Sequence, residues 1–575
     1  MLRFSTRRDS ALRSALPGGP ERSNDVQMTP ELVFHGGRVF TGAGPDASPA
    51  SAPPATAVAV REGRIVAVGD DGLLALAGPG TRTVDLAGRL LVPGFQDAHA
   101  HPVFGALELS SCHLGGLTTV DEYLAAVAAY AASHPHDATL QGAGWVQSAF
   151  PDGPPTAALL DRVVPDRPLL LWGNDGHRAW VNSAALAAAG IDASTPDPAD
   201  GRIERDASGR PTGFLLEGAV APVLAILPDA TPEQLDAAVL RAQQHLHALG
   251  ITAWQDAILS RAEDGEDPAE AYLRADRAGR LTARVAGALW WDRARGLEQI
   301  PELVERRERF RGRRFSTPAV KIMQDGIIES GTAALLAPYR AVHAESGLSF
   351  VEPGLLREIA VRLEAEGFQL HFHGIGDRAV RESLDAVAAA RAARRGPDPR
   401  HHLAHVQLVD PADVARFAEL GVTANIQPYW ACNDPLMVEH TVPVLGEERA
   451  GQQYPFGSLH AAGARLAAGS DWPVSTPDPI AGIHVAVNRA LPSGHPGSGA
   501  EPFLPGQALD VVTALEAYTA GSAYVNGFDD TGRIAPGFAA DLAVLDRDLL
   551  AIPAESIGAA RVDQTFVDGV PVFER

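Results

Sequence analysis

Between residues 92 and 524 the chain repeats one unit, a short apolar run followed by a longer stretch of helical periodicity. That alternation builds parallel strands joined by crossover helices, because a tight turn cannot connect two parallel neighbours. Eight apolar runs occur in order. The first ends at His99 and His101; GITAWQD (250–256), RVAGALWW (284–291) and PAVKIMQDG (318–326) follow. The last four are FQLHFHG (368–374), HHLAHVQLV (401–409), VTANIQPYW (422–430) and ARLAAGSDW (464–472). Eight is the count that closes a (β/α)8 TIM barrel. Helix signals fit between them: Thr231 before Pro232 and Glu233 opens a helix through His247 that Gly250 ends.

The chain ends have another texture. Residues 31–91 and 525–575 read as short alternating strands punctuated by glycine, with a Pro, Ala, Ser and Gly loop at 42–57. They predict one composite β-sandwich domain made from both chain ends, flanking an α/β barrel domain at 92–524. Residues 139–225 are too many for one strand-to-strand connection and contain strand-like LLLWGND and a turn-rich GRIERDASGRPTG. They predict an inserted lid subdomain over the barrel mouth. The first 30 residues carry Arg and Ser without a continuous apolar segment and read as a disordered leader, with Met28 as an alternative start.

Charge and cysteine content bound the partners. A net charge of −23 without a basic cluster excludes a nucleic-acid partner. No apolar stretch reaches the length of a bilayer span, so no membrane partner is expected. Two cysteines, Cys112 and Cys432, offer no disulfide framework and fit a reducing, cytoplasmic setting. A small-molecule substrate is the expected partner; a homo-oligomer is compatible with everything above.

In a barrel of this kind chemistry sits at the C-terminal ends of the strands, and polar residues recur there. The first run ends in His99 and His101; later runs carry Lys321, His373, His405 and Asp471. Residues two apart on a strand share a face, so His99 and His101 can leave it as a pair of metal ligands. Alone they read as readily as two loop histidines; four more polar residues at the same mouth favour a site. Asp471 also reads as a helix N-cap, and Lys321 as the partner of a nearby acid such as Asp325. Trp145, Trp290, Trp291, Trp430 and Trp472 lie at or beyond strand ends, with Trp180 in the lid. Such aromatic walls suit a pocket for an apolar substituent, although some must only pack under loops. Gly374, Gly376 and Ala379 match a dinucleotide-binding spacing, but the strand before them carries His371 and His373 where an apolar strand is required. There is no G-x-S-x-G elbow for a serine nucleophile.

The order HxH, Lys, His, His, Asp, with VPGFQDAHAH (92–101) first and GSDWP (469–473) last, resembles the amidohydrolase superfamily of metal-dependent hydrolases. VKIMQDGIIESGTAAL (320–335), HFHGIGDRAV (371–380), LAHVQLVDP (403–411), GSDWPVSTPDP (469–479) and GHRAWVNSAAL (176–186) are similar to its N-substituted formamide deformylase-like branch. The resemblance runs from about residue 31 to the C-terminus. It implies that His99 and His101 bind a more buried metal, His373 and His405 a more exposed one. It implies that Asp471 touches the metal and takes a proton from water, and that His177 hydrogen-bonds the substrate carbonyl. It also implies N6-carboxylation of Lys321 and a two-metal site; an unmodified Lys321 implies one ion. Zn2+ suits the donors, and Mn2+, Co2+ and Ni2+ are compatible. The expected activity is hydrolysis of a non-peptide C–N amide bond, for instance in an N-substituted formamide. Lactone, carbamate or N-acyl amino acid hydrolysis and a non-catalytic scaffold are the alternatives.

Overall fold

The computed structural model describes residues 29–42, 55–150, 153–260, 265–340, 345–495 and 497–575. The leader with Met28, and most of the 42–57 loop, lie outside the described residues.

Eight parallel strands form one sheet: β1 (Phe95–Ala100), β2 (Ile251–Leu259), β3 (Arg284–Trp290), β4 (Phe315–Met323), β5 (Gln369–Gly374), β6 (His402–His405), β7 (Thr423–Ile426) and β8 (Leu466–Ala468). They stand in chain order from β1 to β8. The sheet closes where Asp471 N donates to His99 O at 2.8 Å and His101 N to Trp472 O at 2.7 Å. The eight apolar runs are therefore the eight strands of a TIM barrel. The helix Pro232–Ala248 starts with a capping box between Thr231 and Gln234 and buries Leu235, Val239, Ala242 and Leu246, spaced to face the barrel.

Two further sheets lie at the chain ends, one wholly N-terminal and one built from both ends. One contains Leu32–His35, Ala57–Arg61, Arg64–Gly69 and Arg82–Asp85. The other joins Arg38–Val39 and Leu90–Pro93 to Leu542–Leu545, Val562–Val567 and Val570–Glu574. Their buried side chains form one cluster in which Phe34 meets Phe566 edge to face, with ring centroids 5.0 Å apart. Arg284, at the start of β3, donates to Asp541 Oδ2 at 2.8 Å and to Asp568 Oδ1 at 2.6 Å, fastening this cluster's strands to the foot of the barrel.

The insertion over the barrel mouth is a six-stranded sheet running from Cys112–His113 to Pro211–Glu217. It begins near residue 112, not 139. The helix Val120–Ser133 belongs to it, burying Tyr123, Leu124 and Val127 with Trp145, Leu171 and Trp180. An amphipathic helix after a barrel strand looks like a crossover helix, since its periodicity tells that a face is buried but not against which sheet. Among the described residues no helix is long and apolar enough to cross a membrane.

Candidate active site

β1 delivers His99 and His101 to the mouth, and β8 delivers Asp471 just past its end. Asp471 Oδ1 lies 2.9 Å from His101 Nε2 and 3.2 Å from His99 Nε2. This approach needs Gly469, because a Cβ there would sit 2.7 Å from the His99 nitrogen. Asp471 and His405 both have positive φ, 58° and 76°. Such strain in non-glycine residues costs roughly 1–3 kcal/mol each and concentrates at functional sites.

Parallel register sets the remaining residues side by side. Lys321 on β4 pairs with His371 on β5, and Gly374 pairs with His405 on β6. The Lys321 nitrogen lies 3.5 Å from His99 Nε2. The His405 ring is 4.8 Å from that of His99 and 4.4 Å from that of His373, between centroids. One donor atom from each of His99, His405 and Asp471 lies within 4.8 Å of the others. His177 comes from the lid, its ring 5.6 Å from that of His373. The mouth therefore gathers all six expected ligands and His177.

Four of these groups are almost entirely buried. His99 and Lys321 are 1% exposed, His405 2% and His373 3%. Burial pushes His99 down to about 3 and holds His373 and His405 well below the ordinary histidine value, so all three are neutral donors of a lone pair. Burial opposes ionisation of Asp471, but neighbouring His99 and His101 outweigh it and hold its carboxyl well below the usual range. Burial also draws Lys321 down to about 7, which makes its neutral amine abundant near neutrality. For His177 burial works downwards, yet the charge and hydrogen bonds of Glu217 lift it to about 9. Among the described residues His101 Nδ1 and His405 Nδ1 have no hydrogen-bond partner, and Asp471 Oδ1 is met by the Nε2 atoms of His99 and His101. Neutral imidazoles and an ionised carboxylate brought together in a buried cluster suit a divalent cation.

Several supporting residues were not read as part of the site from the sequence. His99 Nδ1 is 2.7 Å from His371 Nε2. His373 Nδ1 is 3.0 Å from Asp325 Oδ1, and Asp325 also accepts from the backbone N–H groups of Ala334, Ile375 and Gly376. Asp325 thus orients His373 and is not the partner of Lys321. The helix Pro479–Asn488 is capped by Asp478, leaving Asp471 free of capping duty. Asp97, two residues before His99, accepts from the backbone of His99 and from Ser470 Oγ, locking β1 to β8. Its place in the period-2 pattern of QDAHAH was the available signal.

The tryptophans divide. Trp430 stacks on His405 with ring centroids 5.2 Å apart and planes 8° from parallel, so it lies at the site. Trp145 and Trp180 do not line it: both are fully buried in the lid's own core, their indole N–H groups donating to the Leu171 and Thr156 carbonyls. Their strands belong to the lid sheet, so the expected substrate contact fails for them. Trp472 packs outward against His245 and the helix Pro102–Glu108 through Gly105, and Trp291 is in the barrel core.

Residues 82–573 match the model of the Amidohydrolase family. Protein LONG AFTER FAR-RED 3 of Arabidopsis thaliana is 30% identical over 94% of this chain and 91% of its own. The N-substituted formamide deformylase of Arthrobacter pascens is 31% identical over 91% of this chain and 95% of its own. Among solved structures, an uncharacterized metal-dependent hydrolase from Pyrococcus horikoshii superposes with a TM-score of 0.69 at 25% identity, covering 91% of this chain and 99% of that one. With its barrel, its ring of histidines and its strand-eight aspartate, the chain belongs to the amidohydrolase family.

Proposed function

We propose that this protein hydrolyses a non-peptide C–N amide bond, with N-substituted formamides as its substrate class, using a divalent metal held by His99, His101, His373, His405 and Asp471. The observation that carries the reading is the convergence of these residues with Lys321 at one barrel mouth, beneath His177. The formamide assignment is supported by the near full-length similarity to the deformylase. Zn2+ is the ion the nitrogen and oxygen donors suit best. When bound, such an ion lowers the pKa of water and polarises a carbonyl oxygen.

The chain's own residues supply the rest. Ionised Asp471 accepts the proton of the attacking water at its carboxylate and returns it to the leaving amine. His177 donates from Nε2 to the substrate carbonyl oxygen as negative charge develops there. Trp430, stacked on His405, offers an apolar face to the nitrogen substituent. The neutral amine of Lys321 is the form that adds CO2, and N6-carboxylation would convert it into a carboxylate donor able to serve a second ion.

Metal-assayed protein incubated with N-alkyl and N-benzyl formamides, lactones, carbamates and N-acyl amino acids tests the reading. Formate release from the formamides is expected. Turnover confined to the other substrates would overturn the formamide assignment while keeping the hydrolase.

A further inference from the structure

Glu217 ends the lid strand Pro211–Glu217, and three separate features meet at its carboxylate. Its two oxygens lie 2.9 and 3.0 Å from Nδ1 of His177. Its Oε1 accepts from Thr332 Oγ1 at 3.0 Å, and Thr332 stands on the loop that follows β4. A Cβ on Gly326 would come within 2.4 Å of Glu217 Oε1 and 2.1 Å of Thr332 Oγ1, so only glycine leaves room for this meeting. The side chain of Glu217 is 6% exposed. Its backbone has φ 53° and ψ −128°, an uncommon conformation for a residue with a side chain, and its N–H donates to the His177 carbonyl at 3.0 Å. Backbone and side chain of Glu217 therefore both grip His177, while Thr332 ties that grip to the barrel.

We infer that Glu217 is a positioning residue of the reaction: it holds His177 by Nδ1 so that Nε2 faces the substrate, and it does so by seating the lid on the β4 loop through Thr332. The inference rests on the role given to His177 above. Two elements far apart in the chain, the lid strand and the β4 loop, thus meet at the group that aims His177. Imidazoles anchored at one nitrogen by a carboxylate present the other in a fixed direction.

The test compares metal-loaded E217A, E217Q, T332V, H177A and the H177A/E217A pair. With a formamide that the wild type turns over, E217A is expected to lower kcat about 10²-fold or more with little change in KM. E217Q, whose amide oxygen can still accept from Nδ1–H, should retain more activity than E217A. The double variant should be no slower than H177A alone, because residues acting as a unit are not additive. An E217A rate within twofold of wild type, or a loss that multiplies in full on the H177A background, would overturn the inference. If no formamide is turned over, the proposed function fails, and crystal structures of Zn2+-loaded E217A and T332V still decide this point. A displaced His177 ring beside unmoved His373 and Asp325 supports it; an unmoved His177 in both rejects it.

Discussion

His99 Nδ1 lies 2.7 Å from His371 Nε2, deep in the barrel beneath the mouth. His99 Nε2 faces Lys321 and Asp471; with a metal ion on that lone pair, Nδ1 would carry the proton and donate to His371 Nε2. A ligand oriented by another histidine depends on that neighbour's tautomer as well as its position. Replacing His371 by Leu removes the acceptor while keeping an apolar side chain of similar reach. Metal affinity should fall about 10- to 100-fold. Competition against a fluorescent chelator measures it, and an unchanged affinity would show that His99 is oriented by packing alone.

Asp325 does for His373 what His371 does for His99, with three backbone N–H groups holding the carboxylate still. D325N keeps the shape but offers one acceptor oxygen where four donors point. Weaker metal retention, again by about 10- to 100-fold, is expected, together with a lower melting temperature. Loss of thermal stability with full metal affinity would assign Asp325 a purely structural role.

The barrel and the cluster at its mouth were legible because each of the six polar residues sits at the end of an apolar run, and strand periodicity says which face it leaves by. His99, His101, Lys321, His373, His405 and Asp471 all met where that logic placed them. Partnerships across the fold were not legible. Glu217 and His177 are 40 residues apart, and Asp325 and His373 are 48. Nothing in composition or spacing pairs them. Trp145 failed for a related reason, since a strand end is a site only if the strand belongs to the barrel.

That division of the tryptophans has separate consequences for stability and for substrate. Trp145 and Trp180 lie with ring centroids 6.5 Å apart inside the lid, among Phe150 and Phe214. W145A should cost about 3–5 kcal/mol of stability by opening a cavity there. Trp430 only covers His405, so W430A should leave the melting temperature within a few degrees and raise KM for N-benzyl formamides more than for N-methyl formamide. Thermal melts and steady-state kinetics on the two variants distinguish the roles; a KM effect from W145A without destabilisation would return it to the pocket wall.

Asp471 meets both histidines of β1 through one oxygen and reaches the barrel mouth through a strained backbone. Its carboxyl is held well below the usual range by His99 and His101 against the cost of burial, so it is ionised at neutral pH and ready to accept a proton. Four imidazoles remain to hold the metal when it is removed. D471A should therefore retain most of its metal while turnover falls by about 10²- to 10⁴-fold, the range of a lost general base. Metal content by plasma emission spectroscopy and kcat on the same preparation are the two readings needed. Near-normal turnover would remove Asp471 from the proton path, and complete metal loss would make its principal duty that of a ligand.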